Sequence, residues 1–342
     1  MITASTGEPA RGGRSGGRHS MKRRSASPNS AAVLSVLAGS ALFGTSGVAQ
    51  ALGPDEAPAA AVGAARVLVG GVFLLLLAAR RRSRFPTARA LPGTTVLLGA
   101  SVAVYQSCYF NGAARLGVAM GSIVTVATVP VATGIVAYLL RGEKPTNRWY
   151  LATLLAIVGL IGSSGVVGET RADIFGFLMC LTAGSSVAIY TVLSSRLLDA
   201  GAPVTEVTTI AVAVSGFLLL PVLLLSGPSW LGTPSGALMA LYLGLFTSAV
   251  AFWLNARGLR KVSPTAVATL NLAEPLAAVV LAFLVLGEEP SAVQVAGALS
   301  ICAGLLVLAM RPQGKAAPPA QTTLTAPPDI ATPVTRDAST PR

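Results

Sequence analysis

Within the apolar stretch LNLAEPLAAVVLAFLVLGEEP, Leu270 to Pro290, stand three residues for which a plain membrane anchor has no use: Asn271, Glu274 and Pro275. Glu274 lies about 15 Å beyond Pro264 at ~1.5 Å per helical residue, near the middle of a ~30 Å hydrocarbon core. A charge at that depth costs about 2.5–3.5 kcal/mol on insertion scales for Asp, Lys and Arg. A proton, a partner or a water-filled cavity relieves the cost, and a carboxyl that takes up and sheds a proton there suits a proton relay. Asn271 sits one turn earlier on the same helical face. Pro275 has no amide to give the carbonyl of Asn271, so that carbonyl is expected to be free beside the acid. In the competing reading Glu274 bonds a neighbouring helix and Pro275 is a passive kink.

Arg66 is the second charge within an apolar run, about 12 Å beyond Pro58 and so at a similar depth from the opposite face. It can balance Glu274 as an ion pair, hold an anionic group such as a carboxylate, or lock two helices while its head snorkels. If the two residues pair, proton coupling requires the pair to break. A softer polar set contains Gln50, Gln106, Asn111 and Asn255 with Tyr105, Tyr109, Tyr190 and Trp253. Tyr105 and Tyr109 share a helix face, and the rings suit an amphiphilic or cationic solute. From this set Gln106, Tyr109, Asn255 and Trp253 join Glu274, Arg66 and Asn271 as candidates for substrate or proton binding. Interfacial belts and interhelical hydrogen bonds explain most such residues in other membrane proteins.

The elements that must hold these residues are membrane helices. Only 11% of the 342 residues are charged and 53% are hydrophobic, against about 25% charged in soluble domains; mean hydropathy is +0.69. Ten apolar segments, each near the ~20 residues a span needs, cover 31–52, 57–79, 92–113, 119–140, 149–167, 174–197, 204–226, 235–257, 264–286 and 291–310. Residues 1–30 are rich in Arg, Gly and Ser, and residues 311–342 in Pro, Ala and Thr; neither can build a core, and both read as disordered tails. The run from MKRR to VAQA at Val48–Ala51 also fits a cleavable signal peptide, although the repeat below needs this helix.

The net charge of +12 falls in short clusters between apolar runs, a pattern of membrane topology and not of nucleic-acid binding. With the N-terminus inside, every Lys and Arg lies in an inner segment except Arg115 and Arg171 in outer loops and Arg66 within a helix. Both termini are therefore expected in the cytoplasm of a plasma-membrane protein. Cys108, Cys180 and Cys302 are far apart, and His19 is the sole histidine, so no metal site and no cofactor is expected. The scarcity of His also weighs against a membrane enzyme. No G-x-x-x-x-G-K-[ST] loop is present for driving by ATP, and five-helix repeats argue against a simple pore, where one repeated re-entrant filter would be expected. A membrane scaffold or sensor stays open as a reading, although it would need no residue like Glu274.

A shift of 145 positions lays VPVATGIVAYLLRGEKP, from Val129, over EPLAAVVLAFLVLGEEP, from Glu274. Pro130 then meets Pro275, Gly142-Glu143 meets Gly287-Glu288, Pro145 meets Pro290 and Gly159 meets Gly304. A shift of 140 brings GTSGVA at Gly44 over GSSVAI at Gly184. Each half thus carries five helices, and an odd number inverts the second copy in the membrane. The expected fold is an all-α polytopic bundle of ten transmembrane helices in two inverted repeats, 31–167 and 174–310, kinked at Pro130 and Pro275. Gly142 and Gly287 read as helix-ending turns, and Gly117, Gly121, Gly297 and Gly304 as small faces for close packing.

The run LNLAEPLAAVVLAFLVLGEEPSAVQVAGALSICAGLLVL, from Leu270, resembles the second EamA domain of the drug/metabolite transporter superfamily, and residues 119–162 look like a weaker first copy. The resemblance covers Ala31 to Met310. It implies a central cavity lined by helices one to four and six to nine, with five and ten peripheral, and proton-driven export of small metabolites. Where the family often has Glu-Pro in both halves, the first copy here has Val129-Pro130, so only Glu274 can serve as the acid. The expected activity is secondary transport, not catalysis. The expected partners are a small-molecule substrate, protons and the lipid bilayer, with no nucleic acid; a homodimer is left open. Uptake or exchange of a small organic anion is the alternative if Arg66 faces the cavity.

Overall fold

The computed structural model describes residues 30–116, 118–142, 144–163, 173–287 and 292–309, and among them every regular element is helical. In chain order these are α1 (Ser30–Ala51), α2 (Ala59–Arg80), the short α3 (Pro86–Ala90), α4 (Pro92–Leu116), α5 (Val118–Arg141), α6 (Asn147–Ser163), α7 (Ile174–Asp199) and α8 (Val204–Leu225). After a 3-10 turn at Pro228–Gly232 come α9 (Pro234–Tyr242), a π-helical stretch (Leu243–Val250) and α10 (Ala251–Leu259), which run on as one rod. Then follow α11 (Pro264–Leu270), α12 (Ala273–Leu281), a second π-helical stretch (Ala282–Leu286) and α13 (Ala292–Ala309). Backbone amides in hydrocarbon must find partners within their own segment, and helices provide them. Starts are marked by side-chain caps: Asp173 accepts from the amide of Gly176 at 2.9 Å and Ser263 from that of Ala266 at 3.3 Å. Gly142 and Gly287 have φ of 65° and 71°, the left-handed turn expected of them.

Seven of these helical rods are long and apolar enough to cross a membrane. Among the described residues the count is thus seven such spans against the ten expected, and the three segments that fall short do so for visible reasons. α4 has 25 residues, but Ser101, Tyr105, Gln106 and Asn111 dilute its apolar content. α6 and α13 are short apolar helices that pack most extensively on each other. The other dominant packings are α2 on α8, α4 and α5 on α7, and α1 on α10 and α12.

Helix approaches are set by glycines, and the approaches come in mated pairs. A Cβ on Gly71 would meet Ala213 Cα at 2.7 Å, and one on Gly216 would meet Leu68 Cα at 2.8 Å. Likewise Gly99 faces Val214 while Gly244 faces Val69, and Gly159 faces Gly297 and Ile301 while Gly304 faces Ala152 and Ala156. In each pair both partners move by the same offset, 145, the offset that also separates Ser300 from Leu155, whose carbonyl its hydroxyl bonds at 2.9 Å. Such contacts leave no room for even one methyl group.

The rod carrying Glu274 is interrupted. α11 ends at Leu270 and α12 begins at Ala273, with the amide of Leu272 bonding Thr269 at 3.0 Å and that of Glu274 bonding the Asn271 carbonyl at 3.0 Å. The Asn271 carbonyl is therefore not left free by Pro275, as the sequence led us to expect: a tightened turn supplies the amide one residue earlier. Pro130 behaves differently, remaining inside a continuous α5 while the Thr133 hydroxyl bonds the Val129 carbonyl at 2.7 Å. The tails, Arg171, Glu143, Glu288 and Pro290 fall outside the described residues, apart from Ser30 at the head of α1.

Candidate functional site

The helix interruption opens onto a central cavity of about 100 Å³. Its wall takes Phe43 from α1, Arg66 from α2, Ser101, Tyr105 and Gln106 from α4, Thr125 and Val129 from α5, and Tyr190 and Thr191 from α7. α10 adds Phe252, Asn255 and Leu259, and the break adds Asn271, Leu272 and Glu274. Nothing in the lining comes from α8, although helix seven was expected there, nor from α6 or α13. α6 still braces the site from behind, for Trp149 Nε1 donates to the Thr265 carbonyl at 3.2 Å and Thr153 meets Thr269 at 3.1 Å.

Glu274 and Arg66 line the same cavity, half-buried and close enough to feel one another's charge. Among the described residues they do not form an ion pair. The guanidinium of Arg66 instead reaches the π-helical stretch, where Nη2 donates to the Thr247 carbonyl at 3.2 Å and Nε to the Ser248 hydroxyl at 3.3 Å. Both acceptors are neutral, so the charge of Arg66 stays uncompensated by contact. A π-turn suits this role because its widened ladder misaligns carbonyls that an α-helix would occupy. Among the described residues no hydrogen bond reaches the Glu274 carboxyl, whose backbone alone is tied down. The competing reading, a bond from Glu274 to a neighbouring helix, is thus not what this geometry displays.

The break is held by α1. Ser40 donates to Asn271 Oδ1 at 2.8 Å, and a Cβ on Gly44 would stand 2.7 Å from the Glu274 carbonyl oxygen. Gly184 of α7 makes the corresponding approach to α5, where a Cβ would stand 2.5 Å from the Thr125 carbonyl. The juxtaposition read from GTSGVA and GSSVAI is thereby a pair of close helix crossings.

The softer candidates separate. Gln106 is buried and donates to the Gly63 carbonyl at 3.1 Å; Asn255 is buried, with Nδ2 on the Ala251 carbonyl at 3.3 Å and Oδ1 without a partner. The hydroxyls of Thr125 and Tyr190 are likewise buried without a hydrogen-bond partner. Tyr109 stacks on Tyr105 with centroids 5.9 Å apart and bonds Ser122 at 2.7 Å, which places it behind the wall. Trp253 is not in the lining; the Arg257 guanidinium lies over its ring at 5.5 Å. Asn111 is exposed, and Gln50 bonds the Ser46 carbonyl at 3.2 Å. Sequence reasoning missed Phe43, Phe252 and Thr125. Phe252 stands edge-on to both Phe43 and Tyr190, each pair with centroids 5.4 Å apart, forming an aromatic wall from three helices. No spacing along one segment could have signalled that wall; Thr125 at least was a polar residue inside an apolar run.

The arrangement offers an acid without a partner, a cation held by neutral acceptors, unpaired neutral donors and acceptors, and an apolar ring wall. Among the described residues no group of three His, Cys, Asp or Glu could hold a metal ion. Such a set presents charged, polar and apolar groups to one small space.

A family model described as the EamA-like transporter family matches the chain twice, over residues 30–165 and 174–310. The chain is 34% identical to an uncharacterized transporter of Bacillus subtilis, YwfM, with 82% of this chain and 94% of that one covered. It is 27% identical to a probable terminal-alkyne amino-acid exporter of Streptantibioticus cattleyicolor, over 77% of this chain and 88% of that one. A protein crystal structure shares the fold at a TM-score of 0.70 and 20% identity, covering 82% of this chain and 97% of that one.

Proposed function

Because the chain belongs to the EamA-like transporter family, a family of transporters and not of enzymes, we propose that it is a secondary transporter exporting small metabolites, amino-acid-like or amphiphilic, in exchange for protons. Glu274 carries the proton and Arg66 receives the anionic end of the solute, while Phe43, Phe252 and Tyr190 receive its apolar part. The observation that carries this reading is the Glu274 carboxyl, which faces the cavity from a helix break with neither an ion pair nor a hydrogen bond among the described residues. A structural carboxylate in hydrocarbon would have a partner. The exporter name of the Streptantibioticus relative supports an amino-acid-like solute.

In this proposal residues 31–167 and 174–310 are two inverted five-helix repeats in the plasma membrane, with both termini cytoplasmic. The mated glycine contacts support the repeat, and the basic clusters support the orientation. Alternating access is a rocking of one repeat against the other about the cavity. A second reading, uptake or exchange of an organic anion, draws on the uncompensated charge of Arg66.

The test is solute-triggered proton movement in proteoliposomes, comparing wild type with Glu274→Gln across amino acids, amines and organic acids. Glutamine keeps the shape and cannot exchange a proton. Proton flux with a solute in the wild type, lost in the variant while solute exchange persists, is the expected result. Flux unchanged in Glu274→Gln refutes the role of Glu274, and anion exchange without proton movement selects the second reading.

A further inference from the structure

A second cavity, of about 280 Å³, lies where the end of α2 meets the start of α8. Leu74, Leu77 and Phe85 form its apolar wall, Arg81 and Arg84 its rim, and Glu206 its back. The rim depends on an unusual turn. Arg82 has φ of 49°, the sole positive value at a non-glycine residue among those described, and the amides of Arg82 and Ser83 bond the carbonyls of Ala79 and Ala78 at 3.0 and 2.9 Å. This ends α2 as glycine usually ends helices and turns the chain back so that both arginines line the same space.

The charges at this place are unequal. Arg81 and Arg84 are exposed and belong to no ion pair among the described residues. Glu206 is 2% exposed, accepts from the Thr87 hydroxyl at 3.2 Å, and occupies the first turn of α8, where the helix dipole favours an acid. The acid is thus engaged by Thr87 of α3 at the head of α8, and the mouth of the cavity is cationic. Below it the exposed face of α2, with Leu75 and Leu76 at 48% and 60% exposure, continues as apolar surface.

We propose that this cavity holds an anionic phospholipid, with its phosphodiester between Arg81 and Arg84 and its acyl chain along Leu74, Leu77 and the outer face of α2. The volume accommodates a headgroup and the first methylenes, and the rest of the chain stays in the bilayer. The protein's own tails are poor occupants, since residues 1–29 and 310–342 each carry more basic than acidic residues. A soluble phosphate ester has the anion but leaves the apolar wall uncovered. The proposal requires α2 to cross a bilayer and is independent of what the central cavity transports.

The full chain, purified in a neutral detergent, is titrated with phosphatidylglycerol, with phosphatidylcholine of the same acyl chains, and with glycerol 3-phosphate. Thermal unfolding and native mass spectrometry are the readouts. Phosphatidylglycerol is expected to raise Tm and remain bound, and the other two are not. Arg81→Ala with Arg84→Ala should weaken phosphatidylglycerol binding on the order of tenfold or more, given the attraction of each near-surface basic residue to anionic lipid. The double lysine variant should retain most of it, and Arg148→Ala, an exposed arginine elsewhere, should change nothing. Equal stabilisation by phosphatidylcholine or glycerol 3-phosphate overturns the proposal, as does binding insensitive to the double alanine change or equally sensitive to Arg148→Ala. Should the double variant fold poorly, Arg84→Ala alone carries the same comparison.

Discussion

Replacing Gly44 by alanine tests whether α1 holds the helix break by close contact. The added Cβ would stand 2.7 Å from the Glu274 carbonyl oxygen and 2.8 Å from Ala277 Cβ, where ordinary contact begins at 3.4 Å. Either α1 or the break must retreat by roughly 0.7 Å, because the obstructing atoms are backbone and Cβ rather than a flexible side-chain end. Overpacking of this kind costs about 1–3 kcal/mol. Alanine also favours a helix over glycine by roughly 0.5–1 kcal/mol, which opposes the cost. Gly47, one turn along the same helix, separates the two effects, since a Cβ there meets nothing within 4 Å. The difference between Gly44→Ala and Gly47→Ala is therefore the packing term alone. At about 1–2 °C per kcal/mol for a chain of 342 residues, the two variants should differ by roughly 1–6 °C in Tm, Gly44→Ala being the lower and Gly47→Ala equal to or above wild type. Thermal unfolding of both variants in the same detergent measures this. Coincident melting curves for the two would refute the reasoning and detach α1 from the site.

Other outcomes follow from the same geometry. Arg66→Lys keeps the charge but cannot reach both Thr247 and Ser248; KM for carboxylate-bearing solutes should rise about tenfold, the loss of one charge-assisted bond, while neutral solutes are unaffected. Asn255→Leu removes the unpaired Oδ1 from the cavity wall, so Tm should change by less than about 1 kcal/mol equivalent while transport falls; a large drop in Tm with intact transport would make Asn255 structural. At the start of α7 the amide of Gly176, and then Arg115 at 3.4 Å, hold the partly exposed carboxyl of Asp173 below its ordinary value of 3.8. A lowered folded value stabilises the protein above the unfolded one and is lost as pH falls through the folded one. Asp173→Asn keeps the cap, so its acid unfolding curve should be flatter below about pH 4 and otherwise match wild type; an unchanged acid limb would show that Asp173 contributes nothing there.

Much of this molecule was legible in its sequence because lipid imposes a simple code. Long apolar runs must be helices, and every regular element among the described residues is one. The offset of 145 that aligned two segments also relates the glycine contacts, which the alignment by itself did not foretell, because close packing repeats wherever the small residues repeat. Glu274 and Arg66 stood out for the same reason, since a charge in hydrocarbon is costly wherever it packs. The sequence went astray where a neighbour decides the outcome. It left the Asn271 carbonyl open, but a tightened turn gives it the Glu274 amide. It placed Trp253 with the candidates, but Trp253 lies under Arg257.

What the chain alone determined, then, is a set of apolar helices, an internal similarity at an offset of 145, and two charges within apolar runs, all consequences of local composition. What only the tertiary structure decided is which side chains share a cavity and which of them are already satisfied. The offset of 145 carries Glu274 onto Val129 and Arg66 onto Ala211, so neither charge has a charged counterpart at that offset. Whether that acid and that cation neutralise each other depends on a π-helical turn 182 positions further along the chain, which brings Ser248 to Arg66 and occupies the guanidinium before Glu274 can. Periodicity within a segment records which face is buried; it carries no information about the partner across the gap.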